Sequence, residues 1–98
     1  MVRTNNTFVK DPDATLNYGV DWEKWLEGSD IITASEWRIE SDHSGADISI
    51  ESKDFSDVET EVFISGGAEG QEYKLINKIE TQDGKIDERT LRIVIEER

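Results

Sequence analysis

The chain has 98 residues, which suffices for a single domain with one hydrophobic core. It contains no cysteine, which excludes disulfide bonds and thiolate metal sites. Its formal net charge of −12 opposes binding to phosphate backbones, so we expect no nucleic-acid partner. No apolar run has the length of a signal peptide or a membrane span, so we also expect no membrane partner.

The apolar composition favours strands over helices. Eleven isoleucines, six valines and seven threonines stand against four leucines and four alanines. β-Branched residues fit strands, whereas leucine and alanine are the better helix formers. We therefore expect an all-β protein.

The first elements follow from alternation and turn signals. Residues 1–6 are polar and unpatterned and are predicted to form a flexible N-terminal arm, with residues 7–98 as a single domain. Residues 8–9 predict a short strand, and the segment around Pro12 predicts a turn. From Leu16 to Trp22 every second residue is apolar, which is typical of a half-buried strand.

The tryptophans interrupt this alternation. Trp22, Trp25 and Leu26 are spaced i, i+3 and i+4, which places side chains on one face of a helical turn. Asp21 is the predicted N-cap of this turn and Gly28 its stop. The spacing predicts one short helical turn at residues 22–27.

Strand patterns then continue to the end of the chain. Trp37 and Ile39 share one face of a strand, residues 48–50 and 60–65 give two more, and residues 72–95 predict a long hairpin turning at residues 83–84. Six or seven strands predict an immunoglobulin-like β-sandwich. Tyr73, just after Gly70, sits where such folds keep a tyrosine whose hydroxyl bonds to upstream backbone.

Few residues suit catalysis or metal binding. His43 is the only histidine and lies in a polar loop, where nothing orients its imidazole for acid–base work. Four loop aspartates, Asp42, Asp47, Asp54 and Asp57, match no calcium-loop spacing. The glycine-rich segment at residues 65–70 precedes a strand instead of a helix, so it lacks the dipole of a phosphate site. We expect no enzymatic activity, no cofactor and no metal.

The three tryptophans are either core or surface. Trp22 and Trp37 are predicted to be buried, with Trp37 as the buried strand tryptophan of the sandwich. As core residues, Trp22, Trp25 and Leu26 would close one end of a fold without disulfides. For Trp25 two interpretations stay open, a core position or an exposed contact for a partner.

Several motifs together resemble a known family. The segments YGVDWEKWL, IITASEWRI and VFISGGAEGQEYKLINKIETQDGKIDERTLRI are similar in order to small tailed-bacteriophage virion proteins, the fiber-tail adaptors. The shared patterns are D-W-x-x-W-L, S-x-W, S-G-G-x-x-G-x-x-Y and G-x-x-D-E-R, within about residues 10–96. In this chain the motif residues are Asp21, Trp22, Trp25, Leu26, Trp37, Gly66, Gly67, Gly70, Tyr73, Asp87, Glu88 and Arg89.

The resemblance implies an immunoglobulin-like virion protein that joins tail or neck components to fibers. It implies other virion proteins as partners, a homo-oligomeric ring in the particle, assembly in the host cytoplasm and no catalytic residues. Core packing does not explain residues 87–89, so Glu88 and Arg89 are candidate partner contacts. Trp25, for which an exposed contact stays open, is the third candidate.

Two other functions remain open on the sequence alone. The first is an immunoglobulin-like module of a bacterial surface adhesin or carbohydrate-binding protein. The second is an acidic inhibitor that mimics DNA, which requires carboxylates spaced like phosphates on one face.

Overall fold

The computed structural model describes residues 7–41 and 48–97, so the predicted N-terminal arm at residues 1–6 lies outside the described residues. The described part contains seven strands: β1 (Thr7–Lys10), β2 (Thr15–Asp21), β3 (Ile32–Ser41), β4 (Ile48–Phe55), β5 (Glu59–Gly66), β6 (Glu72–Thr81) and β7 (Ile86–Ile95). The expected all-β class is confirmed. No helix among the described residues could span a membrane.

The strands form two sheets. Sheet A has the order β1-β7-β6-β3, and sheet B has the order β2-β5-β4. Strand β1 runs parallel to β7, and the other pairings are antiparallel. The predicted C-terminal hairpin is confirmed, because β6 and β7 pair from Glu72 and Val94 to Glu80 and Ile86.

Alternating apolar residues from both sheets build the main core. Its buried members are Tyr18, Trp37, Ile48, Val62, Ile64, Tyr73, Leu75, Leu91, Ile93 and Ile95. Because these side chains come from both sheets, the sheets pack face to face in a sandwich-like arrangement. The prediction that Trp37 is buried is confirmed, since only 7% of its surface is exposed.

A second, smaller cluster lies at one end of the two sheets. Trp22, Ile32 and Ile79 are its buried members, and Trp25 and Leu26 are partly buried against them. Trp22 is completely buried, as predicted. Burying an aromatic side chain of this size stabilises the fold by about 2–3 kcal/mol. The cluster therefore stabilises the end of the sandwich, which it closes without disulfides.

The predicted helical turn at residues 22–27 is not a helix. The carbonyl of Trp22 accepts hydrogen bonds from the N–H groups of Trp25 and Leu26, but no consecutive bond continues the pattern. Asp21 makes the predicted capping contact, through Oδ1 to the N–H of Glu23. Gly28 then takes a φ of 61° and redirects the chain, which leaves a hydrogen-bonded turn too short to propagate as a helix.

Two apolar residues depart from the expected alternation. Leu16 is 39% exposed although it faces the core side, because β2 is the edge strand of sheet B. Ile76 points outward from sheet A yet is only 5% exposed. Its cross-strand neighbours are Arg38 and Thr90, and the ion pair of Arg38 with Glu88 bridges the strands on either side of it.

Candidate functional site

A buried polar network anchors the Trp22 end of the molecule. The indole Nε1 of Trp22 donates to Asn77 Oδ1 at 3.0 Å, and the Thr60 hydroxyl donates to the same oxygen at 2.7 Å. Asn77 Nδ2 in turn donates to Ser35 Oγ and to the carbonyl of Glu36. Asn77 is completely buried, so these bonds offset the cost of placing an amide in the core and fix the position of Trp22.

Trp25 lies at the surface of this end. Its ring meets Trp22 edge-on, with the centroids 5.2 Å apart, and it is half-buried. Lys85 Nζ lies 5.9 Å from the Trp25 ring centroid and 2.7 Å from Glu27 Oε1. The hydrogen bond between Lys85 and Glu27 raises the pKa of the lysine and lowers that of the glutamate, so both stay charged near neutrality. The structure thus keeps Trp25 accessible beside a fixed cation.

Arg89 covers the other side of the tryptophan pair. Its guanidinium carbon lies 4.6 Å from the Trp22 ring centroid, which is cation–π geometry. Arg89 is the cross-strand neighbour of Asn77, and their side chains therefore point to the same side of sheet A. Arg89 is nonetheless exposed, because β1 pairs with β7 only from Arg92 onward. Trp25 and Arg89, two of the predicted contacts, are therefore brought together through Trp22.

Glu88, the third predicted contact, faces away from this group. Adjacent strand residues point to opposite faces, so Glu88 lies on the outer side of sheet A. Its carboxylate accepts from Arg38 at 2.8 Å and 3.3 Å. The hydrogen bond from Arg38 lowers the pKa of Glu88. The motif residues 88 and 89 therefore serve two different surfaces.

Asp30 joins the tryptophan turn to the β6–β7 hairpin. Its Oδ1 accepts from the N–H groups of Ile31 and Asp83, both at 3.0 Å. Burial acts to raise the pKa of Asp30, but hydrogen bonds from Thr81 and from these two N–H groups, with the charge of Lys85, outweigh it and lower the pKa. The ionised carboxylate is thus a fixed structural acceptor.

The glycine motif lies where β5 ends, at the end of the fold opposite Trp22. Gly66, Gly67 and Gly70 adopt φ angles of 79°, 110° and 83°, the left-handed backbone that their sequence predicts. The Tyr73 hydroxyl accepts from the N–H of Ala68 at 2.8 Å, which confirms the predicted bond to upstream backbone.

A lysine that the sequence reading did not single out locks this end. Lys10 is completely buried, and its Nζ donates to the carbonyl of Gly66 at 2.6 Å and to that of Asp11 at 2.9 Å. Burial lowers the pKa of Lys10, against the opposing charges of Asp11 and Asp13. This end therefore has a structural role in ordering the chain.

The carboxylates form no metal centre within residues 7–41 and 48–97, where no group of three or more candidate ligands comes together. Asp54 and Asp57 are exposed. His43, Asp42 and Asp47 lie outside the described residues.

The comparison with known families decides the assignment. The model of the podophage GP4 fiber-tail adaptor protein gp77 family matches residues 10–94, which is most of the chain. The chain belongs to the gp77 fiber-tail adaptor family. Its membership confirms the resemblance carried by the tryptophan, glycine and D-E-R motifs, and gives the chain a structural role in a phage tail. The gp77 family is thus one of virion proteins that contact other tail or fiber components. No curated protein matches the sequence.

The sequence did not predict three residues that anchor the ends of the fold. They are Asn77 and Asp30 at the tryptophan end and Lys10 at the glycine end. The strand pattern predicts no role for Asn77, and neither Lys10 nor Asp30 is among the predicted site residues. The available signal was a polar residue at an apolar strand position, because a buried amide or charge needs several fixed partners.

Proposed function

We propose that this protein is a non-enzymatic adaptor that joins tail or neck components of the virion to fibers through protein–protein contacts. The match of residues 10–94 to the gp77 fiber-tail adaptor family carries this proposal. An adaptor needs a rigid body with separate contact surfaces, and the two sheets with their two differently built ends supply one.

The proposed contact surface for one partner is the accessible side of the tryptophan end, with Trp25 and Arg89 as its anchors. Trp and Arg are enriched among residues that dominate binding energy at protein interfaces. Both side chains are held by Trp22, which is itself fixed by Asn77. A partner would therefore meet a preorganised surface and lose little side-chain entropy on binding.

The outer side of sheet A, with Glu88, is proposed as a separate contact surface. Glu88 is exposed and already paired with Arg38, so its role is to present an ordered charged surface. Pairs of this kind contribute more to the choice of partner than to affinity.

The strand order supports an immunoglobulin-like topology. A three-stranded sheet of β2, β5 and β4 faces a sheet in which β3, β6 and β7 are neighbours and β1 joins β7 in parallel. The bond from Ala68 to the Tyr73 hydroxyl matches the tyrosine corner of such folds.

We further propose that several copies form a ring in the particle and that assembly takes place in the host cytoplasm. A ring requires a heterologous interface, in which two different surfaces of neighbouring copies meet. The outer side of sheet A carries ion pairs such as that of Arg38 with Glu88, whereas β2 and β5 of sheet B contain no lysine or arginine, so the two faces differ in charge.

The test is binding in solution to the tail and fiber proteins of the same phage. The purified chain is mixed with each protein and the mass of the complex is measured by size-exclusion chromatography with light scattering. We expect a discrete complex with at least one tail and one fiber protein, weakened by Trp25→Ala or Arg89→Ala. Absence of any complex with properly folded partners would refute the adaptor function.

A further inference from the structure

Strand β2 is an edge strand without the usual protection. It pairs only with β5, in continuous register from Thr15 and Ser65 to Asp21 and Glu59. The other side of β2 pairs with no strand among the described residues. Such an edge offers free backbone donors and acceptors to another extended chain.

The other sheet edges in the described part of the chain are protected. Strand β1 has only four residues. Strand β3 carries a register shift at its start, between Ile32 and Ala34, and an exposed arginine, Arg38, in its middle, and β4 carries a register shift between Ile50 and Ser52. Short edges and bulges both discourage strand addition. By contrast β2 has seven residues, no bulge, no proline and no lysine or arginine.

The surface beside β2 is acidic. An open groove runs along residues 17–21 and is also lined by residues 54–56 and 59–61, and its charged lining residues are Asp21, Asp54, Glu59 and Glu61. No lysine or arginine occupies an outward position on β2 or β5, and none of these four carboxylates is in an ion pair among the described residues.

Gly19 leaves a path from the edge to these carboxylates. Its cross-strand neighbour on the outer face is Glu61, and the next strand contributes Asp54 in the same row. Adjacent strands are about 4.8 Å apart, so Glu61 lies about 10 Å from an added strand, within reach of a long basic side chain. Gly19 itself places no side chain between the strand edge and Glu61, and the amide of Asn17 on the same face donates to Glu61 Oε2 at 3.0 Å, a bond that a basic side chain would compete with.

We propose that β2 accepts an extended segment of another virion protein as an eighth strand, with lysine or arginine at alternate positions facing Asp21, Glu59, Glu61 and Asp54. The main chain of the segment pairs with β2, and its basic side chains select it by charge. This inference rests on the adaptor function and specifies the chemistry of one partner.

The test uses the full chain and two synthetic peptides of equal charge. The first is a nine-residue peptide that alternates lysine and threonine, and the second has three of its threonines replaced by proline, which prevents strand pairing. Binding is measured by titration in low salt, and its location by amide hydrogen exchange at residues 15–21.

We expect the first peptide to bind with new protection of β2 amides, and the second to bind at least about tenfold more weakly, the equivalent of about 1.4 kcal/mol. The variant E59Q/E61Q should lose about tenfold in affinity. The variant E36Q/E80Q removes the same charge from the outer side of sheet A and should bind as the parent does.

Four outcomes would overturn the proposal. These are no binding of the first peptide, equal binding of both peptides, protection that rises with protein concentration alone, and protection in the free protein that disappears when residues 1–6 are deleted. The last two would assign the edge to a second copy or to the chain's own N-terminus. If E59Q/E61Q still joined fibers to particles, the adaptor function would stand and only this site would fail.

Discussion

Arg89 lies over the face of Trp22, with its guanidinium carbon 4.6 Å from the ring centroid, while the edge of the same indole carries the hydrogen bond to Asn77. The two contacts hold Trp22 from an exposed side chain on β7 and from a buried side chain on β6. They connect the D-W-x-x-W-L turn to the final hairpin, which are far apart in the sequence. This connection is the basis of the first two predictions.

Arg89→Ala is expected to lower the free energy of unfolding by about 0.5–1 kcal/mol, because an exposed cation–π contact of this kind is lost. Arg92→Ala is the control, since Arg92 lies on the same strand, on the opposite face, paired with Glu72. Its loss should stay below about 0.5 kcal/mol. Urea denaturation followed by tryptophan fluorescence measures both, and equal effects would contradict the contact.

Asn77→Leu is expected to destabilise the fold by about 2–4 kcal/mol, because the Trp22 Nε1 and Thr60 hydroxyl are left buried without their acceptor. The same denaturation assay measures it. Thr60→Val is the control. It should lower the free energy of unfolding less in the Asn77→Leu variant than in the parent, because the side-chain oxygen of Asn77 that accepts the Thr60 hydrogen bond is already absent. Additive effects would show that the network does not act as a unit.

Gly67→Ala is expected to destabilise by about 2 kcal/mol or more, because Gly67 has a φ of 110° and a Cβ there would lie 2.5 Å from Ile95 Cδ1. Gly84→Ala is the matched control, with a φ of 87° but no atom within 4 Å of its Cβ. Gly84→Ala should lose only the free energy that the strained backbone conformation costs. Ile95→Val removes the Cδ1 atom that a Cβ at residue 67 would contact. It should therefore destabilise the Gly67→Ala variant less than it destabilises the parent protein. Calorimetric melting temperatures check this.

The melting temperature of Asp30→Asn relative to the parent should depend on pH. The folded-state pKa of Asp30 lies below the ordinary value of 3.8, so its carboxylate stabilises the fold above that pH. That contribution is lost as the pH falls through the folded-state pKa. Melting temperatures should therefore differ at pH 7 and approach each other as the pH falls below 3.8. A constant difference across this range would contradict the assignment.

Strand positions could be predicted because alternation is a local property of the sequence. The inward residues of β5 and β6, from Val62 to Ile79, followed the period of two, and the glycine φ angles followed from residue type. The helical turn predicted at residues 22–27 was wrong, because the segment forms only a hydrogen-bonded turn at Trp22. Spacing alone does not determine whether a turn propagates, which depends on the chain that follows Gly28.

The division of the candidate contacts between surfaces could not be predicted from local pattern. Glu88 and Arg89 are adjacent in the sequence, and only the pairing of β7 with β6 and β1 determines which side each faces and how far it is covered. Likewise, Ile76 is buried on the outer side of sheet A, where Arg38 and Glu88, 50 positions apart in the sequence, form an ion pair between the strands on either side of it. Such long-range pairings require the topology of the sheet.

The adaptor function is tested most directly by the fiber content of virions that lack this protein. Phage produced without a functional copy should give tailed particles without attached fibers, and adding the purified protein should restore attachment. Particles would be counted by electron microscopy and their proteins quantified by mass spectrometry. We expect particles without fibers, to which the added protein restores fiber attachment, whereas particles with a normal number of fibers in its absence would contradict the adaptor function.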